Sequence, residues 1–298
     1  MAYKKKKISS ETVFSYTYLA PFLIAFFLFT ILPILISIFF SFTYFNVLEP
    51  PRFIFLQNYT KLFLSDDIFI ISLKNTVIIA AIVGPVGYLM SLVFAWLINE
   101  LGDKLRTVMV LIFYAPSISG GVYAIWAIIF SGDAFGYANS LLLYLGLIDA
   151  PIQWLTDTDY MLWLVIVVML WMSLGAGFLS FVAGLKTIDQ SFYEVGYIEG
   201  IRNRWQELWY ITLPSLRPQM MFGAVMAITN AFASGAVTTA LCGSPSTDYG
   251  AHTIINHLTD YGTTRFDMGY ACAIATVLFV IMFVVNRVVQ KAISKIGN

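Results

Sequence analysis

Seven charged or amide side chains fall within one stretch, Glu194–Pro214, which reads EVGYIEGIRNRWQELWYITLP. They are Glu194, Glu199, Arg202, Asn203, Arg204, Gln206 and Glu207. Carboxylates, guanidinium groups and amides at this density form ion pairs and hydrogen bonds with another protein surface. They do not make up a catalytic set, and no residue is assigned a catalytic role. ATP hydrolysis would need a glycine, four residues, then Gly-Lys-Ser/Thr. The nearest approach, Gly184-Leu185-Lys186-Thr187, lacks both that spacing and the second glycine. His252 and His257 stand five apart in a loop and are expected to be surface histidines rather than a zinc site. Cys242 and Cys272 have no metal-like spacing and read as single small apolar residues, with a pairing outside the membrane as the alternative.

The elements around that stretch are oily. Of 298 residues, 59% are hydrophobic and 11% charged, against about a quarter charged in soluble domains. The mean hydropathy is +0.79, and most of the chain must face lipid or other membrane helices. Zero net charge gives no argument for nucleic acid. Six charge-poor runs stand out: Thr17–Val47, Asn75–Asn99, Thr107–Gly132, Met161–Leu185, Pro218–Thr247 and Met268–Asn286. Each can cross a hydrocarbon core of about 30 Å as a helix. The first is too long for a cleaved signal peptide, and no period-two alternation indicates a membrane barrel. Thirteen of the 17 lysines and arginines, including Lys4–Lys7 and those of the polar loop, fall on one side of this six-helix arrangement. The positive-inside rule makes that side cytoplasmic, with both termini. The expected layout is a cytoplasmic tail 1–16, one transmembrane domain 17–290 with a loop at about 187–217, and a tail 291–298. The outer pieces 53–63 and 138–147 are apolar enough to lie on the membrane surface, with Trp154 and Tyr160 suited to the interface.

Within the loop, Glu194, Ile198, Ile201, Trp205, Leu208 and Trp209 recur at helical spacing. Gly196 and Gly200 interrupt it, so the loop reads as two short helices with a bend near Gly200. Pro214 and Pro218 mark the entry to the next span. Taken alone, this is also how an amphipathic hairpin joining two membrane helices would look.

The sequence Glu194-Val195-Gly196, then Glu199-Gly200, then Ile211-Thr212-Leu213-Pro214 resembles the EAA loop of bacterial ABC-importer permeases. It is most similar to the carbohydrate-uptake group related to the maltose transporter. Further pieces agree in order along nearly the whole chain: Pro33–Asn46, Leu56–Tyr59, Asn75-Thr76, Asn139 with Trp154-Leu155, Ala183–Asp189 and Met268–Ala275. Departures are Val195 and Gly196 in place of two alanines, Glu199 where Asp is commoner, and Gly243-Ser244-Pro245 in place of Gly-Gly-Pro. Ten residues separate Gly200 from Ile211, one more than the usual nine, so the register of the second short helix is not fixed by the resemblance.

The resemblance implies an all-α, six-helix permease subunit of a bacterial cell membrane. It would pair with a second, homologous permease and with two ATPase subunits that carry ATP and magnesium, while itself binding no cofactor. An extracytoplasmic binding protein would deliver a carbohydrate, or alternatively glycerol phosphate or another polyol derivative. Glu194, Val195, Gly196, Glu199, Gly200, Ile211, Leu213 and Pro214 would form the ATPase-coupling element. The residues themselves leave two other classes open, a secondary transporter and a membrane scaffold.

A pathway through the membrane needs polar lining. Asn230, Ser234 and Thr238 recur every four residues in the fifth run and would form one stripe. Trp171 and Ser173 lie in the fourth, and Tyr114, Ser117, Ser119, Tyr123 and Trp126 in the third. Hydroxyl and amide groups beside aromatic faces suit a sugar, although small polar residues also serve helix packing. The spans carry no charge in mid-membrane. Ion-coupled carriers usually have a carboxylate there, or broken helices around an ion, so the expectation is against such a carrier.

Overall fold

The computed structural model describes residues 10–295. The Lys4–Lys7 cluster lies outside the described residues. The first span is α1 (Ser10–Phe26), a π turn (Phe27–Ile31) and α2 (Leu32–Phe40). It ends earlier than the apolar run does, because the chain turns at Ser41 into a two-stranded ribbon, β1 (Thr43–Tyr44) and β2 (Arg52–Phe53), paired antiparallel with Thr43 opposite Phe53. A short outer helix α3 (Gln57–Leu64) leads to α4 (Asp67–Asn99), the second span. Asp66 caps α4 by accepting the Phe69 N–H at 2.9 Å, a bond that satisfies one of the orphan donors of a helix start.

The third run is two helices, not one. α5 (Asp103–Ile118) and α6 (Val122–Ile129) meet at 84°. Pro116 removes a backbone donor near the end of α5, and Gly120-Gly121 follow at once. Among the described residues, five helices are therefore long and apolar enough to cross a membrane, and a sixth span is obtained when α5 and α6 are taken together. After α7 (Tyr137–Tyr144), the fourth span is α8 (Thr158–Trp171) and α9 (Ala176–Thr187), interrupted at Met172–Gly175. The loop carries α10 (Gln190–Ile198), α11 (Arg204–Glu207), a π turn (Leu208–Thr212) and α12 (Leu213–Ser215). The fifth span is α13 (Arg217–Phe232) and α14 (Gly235–Cys242), interrupted at Ala233-Ser234. The chain closes with α15 (Ile254–Thr259) and α16 (Met268–Ile293).

α4 stands at the centre and packs on α8, α9, α13 and α15. Phe178, Phe181, Leu216 and Ala95 form the core at the loop end; Ile79, Val83, Val165 and Ala231 form the middle. Leu62, Phe69, Ile254 and Tyr270 form the opposite end. The window of the first span has none of its residues buried within the chain, and α7 exposes Leu141 and Tyr144.

Asn139 holds the segment between the third and fourth spans together. Its amide nitrogen donates to the carbonyls of Ser131, Asp133 and Ile152 (3.0–3.1 Å). Its oxygen accepts from the Ile152 N–H and, at 2.8 Å, from the Trp154 indole. Asn139→Ala leaves these buried groups unpaired and is expected to cost about 3 kcal/mol, measured as a lowered unfolding midpoint of the purified protein in detergent.

Candidate functional site

The polar loop is a compact, capped unit. Asp189 caps α10 by accepting the Ser191 N–H. At the other end Gly200 has φ +97. There the Ile201 N–H donates to the Gly196 carbonyl (2.9 Å) and the Gly200 N–H to the Tyr197 carbonyl (3.3 Å). This pair of bonds is the Schellman ending, which calls for a left-handed residue at that position. A Cβ on Gly200 would meet nothing within 4 Å, so this glycine serves the turn and not a close approach within the chain.

Gly196 is the close approach. A Cβ there would lie 2.6 Å from Ile211 Cδ1 and 3.1 Å from Ile201 Cδ1. α10 is thereby laid against the helix that follows, and Tyr193 Oη meets Thr212 Oγ1 at 3.0 Å. The extra residue between Gly200 and Ile211 coincides with the π turn at Leu208–Thr212. A π turn accommodates one added residue without ending a helix. The continuous spacing from Glu194 to Trp209 is not a single face, since residues 199–203 are non-helical.

Thr212 and Leu213 are buried, whereas Val195, Tyr197 and Ile198 are exposed, the last at 84%. Glu194 and Glu199 are exposed beside them. Glu194 makes no ion pair among the described residues. It borders a cavity of about 480 Å³ shared with Trp96, Glu100, Arg106, Arg204 and Glu207.

A second cavity, of about 380 Å³, lies among the spans. Its wall takes Val83 and Gly87 from α4, Tyr114 and Ser117 from α5, Tyr123 from α6, and Met226 and Asn230 from α13. Met172, Ser173 and Gly175 from the break in the fourth span, with Ala233 from the break in the fifth, complete the arc. The breaks of both these spans thus open onto it, and the wall carries no charged side chain. Ser173 Oγ is buried and has no hydrogen-bond partner among the described residues.

The description "binding-protein-dependent transport system inner membrane component" fits residues 84–296. The chain belongs to this family. Among curated relatives, this inner membrane component is 32% identical over 297 residues to a probable ABC transporter permease protein, YesP, of Bacillus subtilis, covering 98% of this chain and 94% of the relative. It is 26% identical to the arabinooligosaccharides transport system permease protein AraP of Halalkalibacterium halodurans, covering 93% and 87%. The same fold occurs, at a TM-score of 0.76 and 23% identity over 97% of both chains, in the crystal structure of a bacterial ABC transporter involved in the import of the acidic polysaccharide alginate.

Asn230 and Tyr123 line the central cavity. Ser234 and Thr238 do not. They are 0% and 1% exposed, and Thr238 Oγ1 donates to Asn256 Oδ1 of α15 at 2.7 Å. The expected stripe fails because Ala233-Ser234 end one helix and begin another, so the four-residue spacing does not keep one face. Trp171 also lies off the cavity, edge-on to Trp126 with ring centroids 5.4 Å apart. Val83, Gly87 and Met226 were missing from the expected lining, and their apolar types gave no signal. The interrupted spans also remove half of the sequence argument against an ion-coupled carrier. The remaining ground is the absence of charge in mid-membrane, which is a reading of the sequence.

His252 and His257 are not surface residues, being 3% and 1% exposed. His257 Nε2 lies 2.9 Å from Asp66 Oδ2, which also accepts the Tyr270 hydroxyl at 2.6 Å. Burial pushes the Asp66 carboxyl up, but the bonds from Tyr270, the Phe69 N–H and His257 outweigh it and hold its pKa below 3.8. Burial, followed by the neighbouring His257, lowers His252 from 6.5 to about 4. A depressed pKa in the folded state gives stability that is full above the unfolded value and is lost as pH falls through the folded one. The unfolding midpoint should therefore decline as pH is lowered from 6.5 towards about 4, and a His252→Phe chain should show a shallower decline.

Proposed function

We propose that this chain is the non-catalytic permease half of an ATP-driven ABC importer for a neutral oligosaccharide. A second, homologous permease completes the pathway. Two ATPase subunits, carrying ATP and magnesium, dock on the loop at about 187–217. An extracytoplasmic binding protein presents the sugar. The observation that carries this reading is the loop itself. α10 is fixed at both ends and packed through Gly196 on Ile211, yet it turns Val195, Tyr197 and Ile198 outward between two acidic residues. An apolar helix face outside the spans calls for a partner, and a rigid element in a partner's cleft transmits rigid-body motion. Closure of the ATPase pair then rotates the spans behind the loop and opens the central cavity to alternate sides.

The uncharged wall of that cavity, with Tyr114, Ser117, Tyr123, Ser173 and Asn230, supports a neutral sugar over glycerol phosphate, whose anionic group would call for a cation. The name of the AraP relative also points to an oligosaccharide, whereas the importer that shares the fold handles an acidic polysaccharide. The lysine and arginine distribution supports placing the loop and both termini in the cytoplasm.

The test is a mild-detergent pull-down from native membranes, followed by uptake of labelled oligosaccharides and of labelled glycerol 3-phosphate into reconstituted vesicles. The expected catch is an ATPase with a phosphate-binding loop, a second permease and a binding protein, with ATP-dependent uptake of the sugar. Uptake driven by an ion gradient with no ATPase present would defeat the proposal.

A further inference from the structure

We infer that Arg204 and Trp205 clasp the loop to the α4–α5 turn and so position α4 to follow the loop's movement. This inference rests on the reading of 187–217 as the ATPase-coupling loop. Arg204 Nη2 lies 2.8 Å from Glu100 Oε2, and its Nη1 lies 2.8 Å from Glu207 Oε2. One guanidinium thus joins elements 104 residues apart. The Trp205 ring sits 5.5 Å from that of Trp96, at 47°. Trp96 and Glu100 are four apart at the end of α4 and share one face of that helix.

Both jaws of the clasp are braced. On the loop side, Asn203 accepts the Gln206 N–H, and Gln206 Oε1 accepts the Arg202 N–H, each at 2.9 Å. On the other side, Arg106 donates to the carbonyls of Asn99 and Leu101 at 2.8 Å and to Asp103 at 2.9 Å, which fixes the turn. Beyond the clasp the loop stands off: the cavity bordered by Asn99, Gln190, Tyr193 and Glu194 separates α10 from α4. α4 then runs on to Val83 and Gly87 in the wall of the central cavity.

Exposed ion pairs of this kind add little to stability, and Arg204 and Glu100 are 62% and 43% exposed. The forked guanidinium does fix a geometry. The clasp therefore makes Arg204 and Trp205 positioning residues, not a source of stability.

The experiment uses the whole complex, with Cys242 and Cys272 changed to serine, a reporter cysteine in place of Ala227, which lines the central cavity, and Glu207→Gln so that reversal at 204 meets no second carboxylate. Alkylation of the reporter by N-ethylmaleimide is timed with and without ATP and vanadate. ATP is expected to change the alkylation rate in this parent complex. Arg204→Glu and Glu100→Arg should each reduce that change about fivefold, within the range such networks give, while the ATPase still co-purifies and hydrolyses ATP. The doubly reversed chain should recover it. A structural defect alone would lower hydrolysis and the conformational response together, and the double reversal would not repair it. An ATP response unaltered by either single reversal, or not regained in the double, overturns the clasp. A parent complex that retains no ATPase overturns the coupling reading itself, and the clasp with it.

Discussion

If an ATPase docks on the loop as proposed, a Gly200→Trp chain is expected to reach the membrane in normal amounts, to lose that ATPase on purification and to import substrate at a tenth of the normal rate or less, roughly the loss expected when about 1.4 kcal/mol or more of a coupling contact is removed. Gly200 occupies a left-handed conformation, φ +97, that costs an L-residue about 1–2 kcal/mol. A Cβ there would meet nothing within 4 Å beyond the adjoining residues, so the first atom of the side chain brings no clash with a packed neighbour. The damage is therefore confined to the ending of α10 and to the surface it offers a partner. Asparagine tolerates the left-handed region, and Gly200→Asn should keep most of the uptake. Co-purification of the ATPase and vesicle uptake, measured on both variants, check this; normal uptake by the tryptophan variant would rule out docking through α10.

Gly269→Val should act on folding rather than on coupling. The Gly269 N–H donates to the Phe45 carbonyl at 3.0 Å. A Cβ at this position would collide with the Thr43 carbonyl oxygen and lie 3.1 Å from the Phe45 nitrogen. These are backbone atoms with no rotamer to yield. The strand cannot retreat either, because the Asn58 amide donates to the carbonyls of Ser41 and Thr43 at 2.9 Å each. Overpacking of this kind costs about 3 kcal/mol. The expected result is a sharp fall in the amount of protein in the membrane and a lower unfolding midpoint for what remains, read by immunoblot and by thermal unfolding in detergent. An unchanged midpoint would mean that α16 does not bear on the ribbon as described.

Much of the architecture was legible because it rests on length and hydropathy. The apolar runs locate the spans but not all their ends: the first span stops at Phe40, short of Val47, α4 begins at Asp67 and carries Lys74, and α16 continues through Arg287 and Lys291. The short pieces that carried the family resemblance prove to be fasteners. Asn75 donates to the carbonyls of Tyr249, Gly250 and His252, and Thr76 accepts the Ile254 N–H. Asn139 and Trp154, fifteen residues apart, meet directly. What was not legible were the interruptions inside the runs. Apolar composition continues across Met172–Gly175 and across Ala233-Ser234, and in membrane helices a glycine or small residue is as much a packing device as a break. A stripe drawn through Asn230, Ser234 and Thr238 assumed one helix and was rotated apart by the second. The histidines were misplaced for another reason. The acid that His257 meets is Asp66, 191 residues away, and no local spacing can announce such a partner. The spacing alone could not announce the π turn at Leu208–Thr212 within the second loop helix.

The interrupted spans have a consequence for how such a chain can diverge. Every helix end leaves peptide N–H or C=O groups without partners inside the helix, and the ends of α8, α9 and α13 gather around the central cavity. These donors and acceptors belong to the main chain. Exchange of a tyrosine, a serine or an asparagine in the wall leaves them in place. On the proposed reading, exchange of side chains in the wall can retune what the cavity takes one residue at a time, while the main-chain breaks that shape it stay in place.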